Sequence, residues 1–234
     1  MTERLWLTEP GRATCLAKVT DVRGVWFTVD RALFAPQSRA CRHPQPADKG
    51  TVWIAGEKRR LEAIRADAGG VWYRLRGTTP AVGATLQCEL DPDWRDAMAR
   101  GHTLMHLVIA ASDSPMTADP EVRGDGHARL TFQEFLAPPR IEGWLQRVRG
   151  WIEADLPLAS RYVEHAEAQR FATPQRFHPP NPVPGDVAAL VEISGVCAYP
   201  CDGRHVDRTG RIGEVRLVHA AMGKEGFVVV VRAS

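Results

Sequence analysis

Apolar and polar residues alternate through most of the first ninety positions. ATCLAKVTDV (13–22), VWFTVD (25–30), GTVWIAG (50–56), KRRLEAIRAD (58–67), GVWYRLRG (70–77) and ATLQCEL (84–90) are short runs broken by Gly, Asp or Pro. Period-two patterning bounded by such residues predicts strands, and several short strands at close spacing predict a small barrel or sandwich. The polar stretch LFAPQSRACRHPQPADKG (33–50) interrupts them as a long loop. Loops of that length inside compact domains are usually functional or disordered.

The pattern changes at DPDW (91–94). Asp91 or Asp93 can cap a helix, with Pro92 near its first turn. Trp94, Ala97, Met98, Leu104, Met105, Val108 and Ile109 then recur at roughly helical spacing, which predicts an amphipathic helix. HARLTFQEF (127–135) reads as a strand. IEGWLQRVRGWIEADLP (141–157) reads as a second amphipathic helix with two internal glycines, ended by Pro157. RFHPPNPVPGD (176–186) is a proline-rich connector, and VAALVEISGV, GEVRLVHAAM and FVVVVRA follow as strand-like runs. The expected architecture is α+β, with a barrel-like domain over 1–90 and an α+β domain over 91–234.

Composition narrows the class without naming an activity. With 44% hydrophobic and 25% charged residues the chain reads as ordinary globular protein. Its longest apolar runs, such as Phe227–Val231, are far shorter than a membrane span. The first residues, MTERLWLTEPGR, lack a basic-then-apolar signal pattern, so a cytoplasmic protein is expected. The five cysteines, Cys15, Cys41, Cys88, Cys197 and Cys201, are odd in number and widely spaced, which argues against a disulfide framework and for packing or metal binding. The net charge of +2 does not single out a nucleic-acid binder. Glu57–Arg60 (EKRR), with Arg65, Arg74 and Arg76, reads first as a solvated strand face and second as a basic patch.

The candidate chemistry lies in two spaced pairs. His102 and His106, in HTLMH, are four apart on the first predicted helix and so share one face. A zincin-type protease needs Glu directly after the first His; here that residue is Thr103. Cys201 and His205, in PCDGRHVDRTGRIG, are again four apart, in a glycine-containing turn. If folding joins the pairs, two helical histidines plus Cys and His give an N₃S donor set that suits tetrahedral Zn²⁺. The alternative is a buried Cys201 and a solvent-facing His205. His43, His127, His165, His178 and His219 show no comparable pairing and read as structural or surface residues.

HTLMHL and CDGRHVDRTGRIG together resemble the AlaX-type alanyl-tRNA editing proteins, relatives of the alanyl-tRNA synthetase editing domain. That family pattern runs His-Thr-x-x-His-Leu and then Cys-Gly-Gly-Thr-His-Val, with a Thr-Gly-Glu-Ile-Gly run. ERLWLTEP, VDRALFAP, QPADKGTV, HARLTF, ADLPLASR and LVEISGV extend the likeness in order along essentially the whole chain. The resemblance implies a small β-barrel-like domain followed by an α+β editing domain of the threonyl/alanyl-tRNA synthetase type. It implies Zn²⁺ held by His102, His106, Cys201 and His205, and hydrolysis of the ester of mischarged tRNA(Ala), with no membrane or DNA partner. A pocket built for alanine rejects serine or glycine poorly, so such errors call for a second hydrolytic sieve. On this reading Thr103 is the catalytic-site hydroxyl that bonds the serine side chain, and Arg204, Asp202 and Gln45 contact tRNA or substrate.

Two departures from the family pattern stand out. The Gly-Gly-Gln-Pro run has become QSRACRHPQP, with no glycine before Gln45-Pro46, and Cys-Gly-Gly-Thr-His has become Cys-Asp-Gly-Arg-His. Two rival readings therefore stay open: a zinc-stabilised RNA-binding module without hydrolysis, and a zinc hydrolase of another small ester or amide.

Overall fold

The computed structural model describes residues 2–9, 11–37, 45–67, 70–171, 187–201 and 203–234. The centre of the polar loop with Cys41 and His43, the proline-rich connector with His178, and Asp202 lie outside the described residues. The chain divides into two compact units: Met1–Gln37 with Pro46–Arg95, and Ser38–Gln45 with Asp96–Ser234.

The first unit contains β1 (Glu3–Arg4), α1 (Leu5–Thr8), β2 (Thr14–Arg23), β3 (Trp26–Val29), β4 (Arg31–Ala32), β5 (Gly50–Ile54), β6 (Glu57–Asp67), β7 (Gly70–Leu75) and β8 (Thr85–Leu90). Six of these strands close into a barrel in the order β2-β3-β7-β6-β5-β8. They are the six alternating runs of the sequence. The period of two drives closure, because one face of each strand is apolar and needs a common interior. In β8, Leu86, Cys88 and Leu90 point inward and their neighbours are exposed. In β2, Cys15, Ala17 and Val19 do the same. Cys15 and Cys88 face each other in register, both buried. Phe27, Val29, Val52, Val71 and Tyr73 fill the remaining interior. Tyr73 packs edge-on against Phe27 and Phe34, and its hydroxyl donates to the Phe34 carbonyl at 3.2 Å. Burial raises its pKa well above the ordinary tyrosine value.

A two-residue turn, Ala55-Gly56, joins β5 to β6 with φ of 49° and 83°. Positive φ at both positions matches the right-handed strand twist, and glycine meets that demand at the second. The two ends of the polar loop are held by a buried ion pair. Asp48 pairs with Arg95 and accepts from the Ala35 N–H at 2.7 Å, while Arg95 donates to the Leu33 carbonyl at 2.9 Å.

The second unit comprises α2 (Pro92–Ala111, which begins in the first unit), β9 (Met116–Val122), β10 (His127–Phe132), α3 (Pro138–Glu153), β11 (Leu158–Glu164), α4 (His165–Phe171), β12 (Val187–Ile193), β13 (Cys197–Pro200), β14 (Val215–Met222) and β15 (Phe227–Ala233), with a 3₁₀ turn at Thr209–Ile212. β14-β15-β10-β9 form one antiparallel sheet and β11-β12-β13 a second. The unit is α+β, as expected. α2 departs from the amphipathic expectation: every residue from Gly101 to Ile109 is buried. Its polar members, His102, Thr103 and His106, are therefore interior groups. Gly101 permits the close approach of this helix to the β9–β10 turn, since a Cβ there would lie 2.3 Å from the Gly126 carbonyl oxygen.

α3 buries Ile141, Trp144, Leu145 and Val148 on one face. It starts with Pro138 in its first turn and ends at Glu153, short of Pro157. Among the described residues no helix is long and apolar enough to cross a membrane.

Candidate metal centre

Helix α2 presents His102 and His106 one turn apart, with ring centroids 5.0 Å from each other. The second pair comes from the segment after β13. Its start is fixed to β12 by the Cys201 N–H, which donates to the Ala189 carbonyl at 2.9 Å. This brings Cys201 Sγ to 3.5 Å from His102 Nε2 and 3.4 Å from His205 Nε2. The His205 ring lies 4.5 Å from that of His102 and 4.8 Å from that of His106. One donor atom from each of His102, His106, Cys201 and His205 lies within 4.8 Å of the others, a set that can hold a metal ion. The three other than His205 are buried, and His205 is half-buried. The Gly203 N–H donates to Cys201 Sγ at 3.4 Å. Burial pushes the thiol of the nearby Cys197 up to about 12, so it stays protonated at neutral pH.

Two further residues shape the cluster. Gly203 lies against the His102 ring, and a Cβ at this position would fall 1.9 Å from Cε1 and 2.2 Å from Nδ1. Spacing arguments did not single this glycine out, although it is the one that CDGRH keeps from the Cys-Gly-Gly-Thr-His pattern. Tyr199, on β13, places its ring 5.5 Å from that of His106. It is buried and carried no motif that would have marked it.

Of the remaining predicted site residues, Thr103, Gln45 and Arg204 lie beside the donors. Thr103 is fully buried; its hydroxyl donates to the Ala99 carbonyl at 2.9 Å, accepts from the Val206 N–H at 3.2 Å and lies 3.3 Å from His205 Nδ1. Gln45 is also fully buried, and its amide joins α2 to the donor turn. Nε2 donates to the Met98 carbonyl at 3.0 Å and the Arg204 carbonyl at 3.2 Å, while Oε1 accepts from the Arg204 N–H at 2.7 Å. Arg204 itself is buried, with 9% exposure. Asp202 lies outside the described residues.

No protein-family model matches the chain. It is similar to alanine–tRNA ligases. The enzyme of Methanopyrus kandleri is 29% identical over 206 residues, 82% of this chain and 21% of the ligase. That of Methanothermobacter thermautotrophicus is 27% identical over 232 residues, 92% of this chain and 24% of the ligase. That of Halorubrum lacusprofundi is 24% identical over 243 residues, 100% of this chain and 26% of the ligase. The chain thus spans about a quarter of the length of the relatives it matches. Its similarity to these ligases extends over most or all of its own length.

Proposed function

We propose that this protein is an aminoacyl-tRNA deacylase that clears mischarged tRNA(Ala), with Ser-tRNA(Ala) the main substrate and Gly-tRNA(Ala) a second. The observation that carries this reading is the convergence of His102, His106, Cys201 and His205 in a chain related to alanine–tRNA ligase over nearly its full length. The reaction is hydrolysis of the ester between the amino acid and the terminal ribose, in the cytoplasm where tRNA is charged. The domain division that accompanies it is a barrel-like domain over 1–90 and a zinc-containing editing domain over 91–234.

Zinc is the metal the donor set fits best. Three imidazoles and one thiolate are a borderline-soft set. Tetrahedral zinc with Zn–N near 2.05 Å and Zn–S near 2.3 Å requires N···S edges of about 3.6 Å. The two S···N distances of 3.5 and 3.4 Å come close to that value. Bound there, zinc supplies Lewis-acid polarisation of a carbonyl or a water. The chain's own contribution is a largely buried site in which Thr103 and Gln45 hold the Arg204–Val206 turn by hydrogen bonds. Arg204, next to His205, is the proposed cation for the acceptor end.

A second reading rests on the same donors. Four protein ligands make a closed site, a geometry usual for structural zinc, and it would suit an RNA-binding module without hydrolysis. A deacylation panel separates the readings: Ser-, Gly- and Ala-tRNA(Ala), a non-cognate aminoacyl-tRNA and a free seryl ester. The expected result is selective loss of serine and glycine from tRNA(Ala). Binding of tRNA without deacylation would favour the module, and cleavage of the free ester alone would favour a hydrolase of another small ester.

A further inference from the structure

Thr103 invites comparison with the serine-recognising role that the family resemblance suggests, because its hydroxyl is already engaged. A hydroxyl has one hydrogen to donate and two lone pairs to accept with. The Ala99 carbonyl can only accept, so the Thr103 hydrogen goes there, at 2.9 Å. The Val206 N–H can only donate, so it takes one lone pair, at 3.2 Å. The second lone pair faces His205 Nδ1 at 3.3 Å. With the hydroxyl hydrogen committed to the helix, that contact is a hydrogen bond only if Nδ1 carries the hydrogen. A neutral imidazole protonated at Nδ1 has a bare lone pair on Nε2, and Nε2 is the atom that lies 3.4 Å from Cys201 Sγ.

We infer that Thr103 is a positioning residue: its hydroxyl selects the Nδ1–H tautomer of His205, fixes the ring orientation, and so presents Nε2 to the metal. Metal-binding histidines commonly donate their other ring N–H to a nearby acceptor, which sets the tautomer and orients the ring. Here the acceptor is supplied by the residue directly after the first ligand, His102. It also joins the two ligand segments, since the same oxygen receives the N–H of Val206, directly after the last ligand. The inference rests on the reading of the four donors as a metal centre.

The test compares the wild type with Thr103→Val, which keeps the shape and removes the hydroxyl, and Thr103→Ser, which keeps the hydroxyl. Imidazole ¹⁵N shifts of His205 in the metal-free proteins report the tautomer, and competition with a chromophoric chelator reports zinc affinity. Melting of the metal-free proteins checks that each is folded. The expected result is an Nδ1–H tautomer in the wild type and in Thr103→Ser, a mixed tautomer in Thr103→Val, and zinc affinity lowered about tenfold to a hundredfold in Thr103→Val alone. A Thr103→Val protein with an unchanged tautomer and zinc affinity within about twofold of the wild type would overturn the inference. Failure of the wild type to take up zinc, with the tautomer still dependent on the hydroxyl, would overturn the metal reading and leave the positioning of His205 standing.

Discussion

Single residues decide the geometry of the donor cluster, and Gly203 shows how closely. Its φ lies outside the left-handed region, so alanine would fit the backbone there. The obstacle is the His102 ring, 1.9 Å from where a Cβ would stand, and that ring is fully buried on a buried helix. Overpacking of this kind costs about 1–3 kcal/mol. Gly203→Ala is expected to lower stability by that amount in denaturant unfolding and to weaken zinc binding at least tenfold in chelator competition. At this scale the sequence disclosed the donor types and their spacing. It did not disclose what occupies their second atoms. Thr103 could be placed beside the histidine pair, but its partners Ala99 and Val206 are backbone groups without a sequence signature. Gln45 is equally opaque in sequence, because its amide engages only the main chain of Met98 and Arg204.

Elements were legible where one face alone is buried. β2 and β8 alternate because their outer faces meet water, and α3 shows a clear apolar stripe. Legibility failed where that contrast is missing. β9 (MTADPEV) is an edge strand that contains Pro120, a residue tolerated only where no ladder N–H is needed. β13 is four residues long, also at a sheet edge, and ends in Pro200. β11 is exposed along most of its length and so carries little alternation. The buried stretch of α2 has no polar face, which blurs the period that the sequence suggested.

α3 carries two glycines, Gly143 and Gly150, that a Cβ would not disturb, since nothing lies within 4 Å of either. A glycine inside a helix costs up to about 1 kcal/mol relative to alanine. Gly150→Ala is therefore expected to raise the melting temperature, in contrast to Gly203→Ala.

The start of the same helix is tied down by charge. Glu134 accepts from the Ser114 hydroxyl at 2.7 Å and from Arg140 at 2.9 Å, and these contacts hold its carboxyl below its ordinary pKa. A depressed carboxyl pKa contributes stability above the ordinary Glu value, and the contribution is lost as pH falls through the folded-state value. The melting temperatures of wild type and Glu134→Gln should accordingly differ at neutral pH and converge below the ordinary Glu range. A gap that stays constant with pH would show that the carboxylate charge contributes nothing there.

At the scale of the whole molecule, the barrel and the α+β unit follow from two different hydrophobic periods in one chain. Their joint presence is what the similarity to alanine–tRNA ligases spans. The fold class could be read from the sequence because both periods are strong. The convergence of the two donor pairs was legible only through the family resemblance, since spacing alone does not say how α2 packs against a turn far along the chain. The central claim is that this convergence makes a metal-dependent deacylase. Its most direct measurement is the initial rate of serine release from Ser-tRNA(Ala), by protein stripped of metal with a chelator and by the same protein restored with one equivalent of Zn²⁺. The expected result is negligible release by the stripped protein, recovery on zinc addition, and no recovery in Cys201→Ala. Serine release that stays at the spontaneous rate in the zinc-restored wild type would contradict the claim.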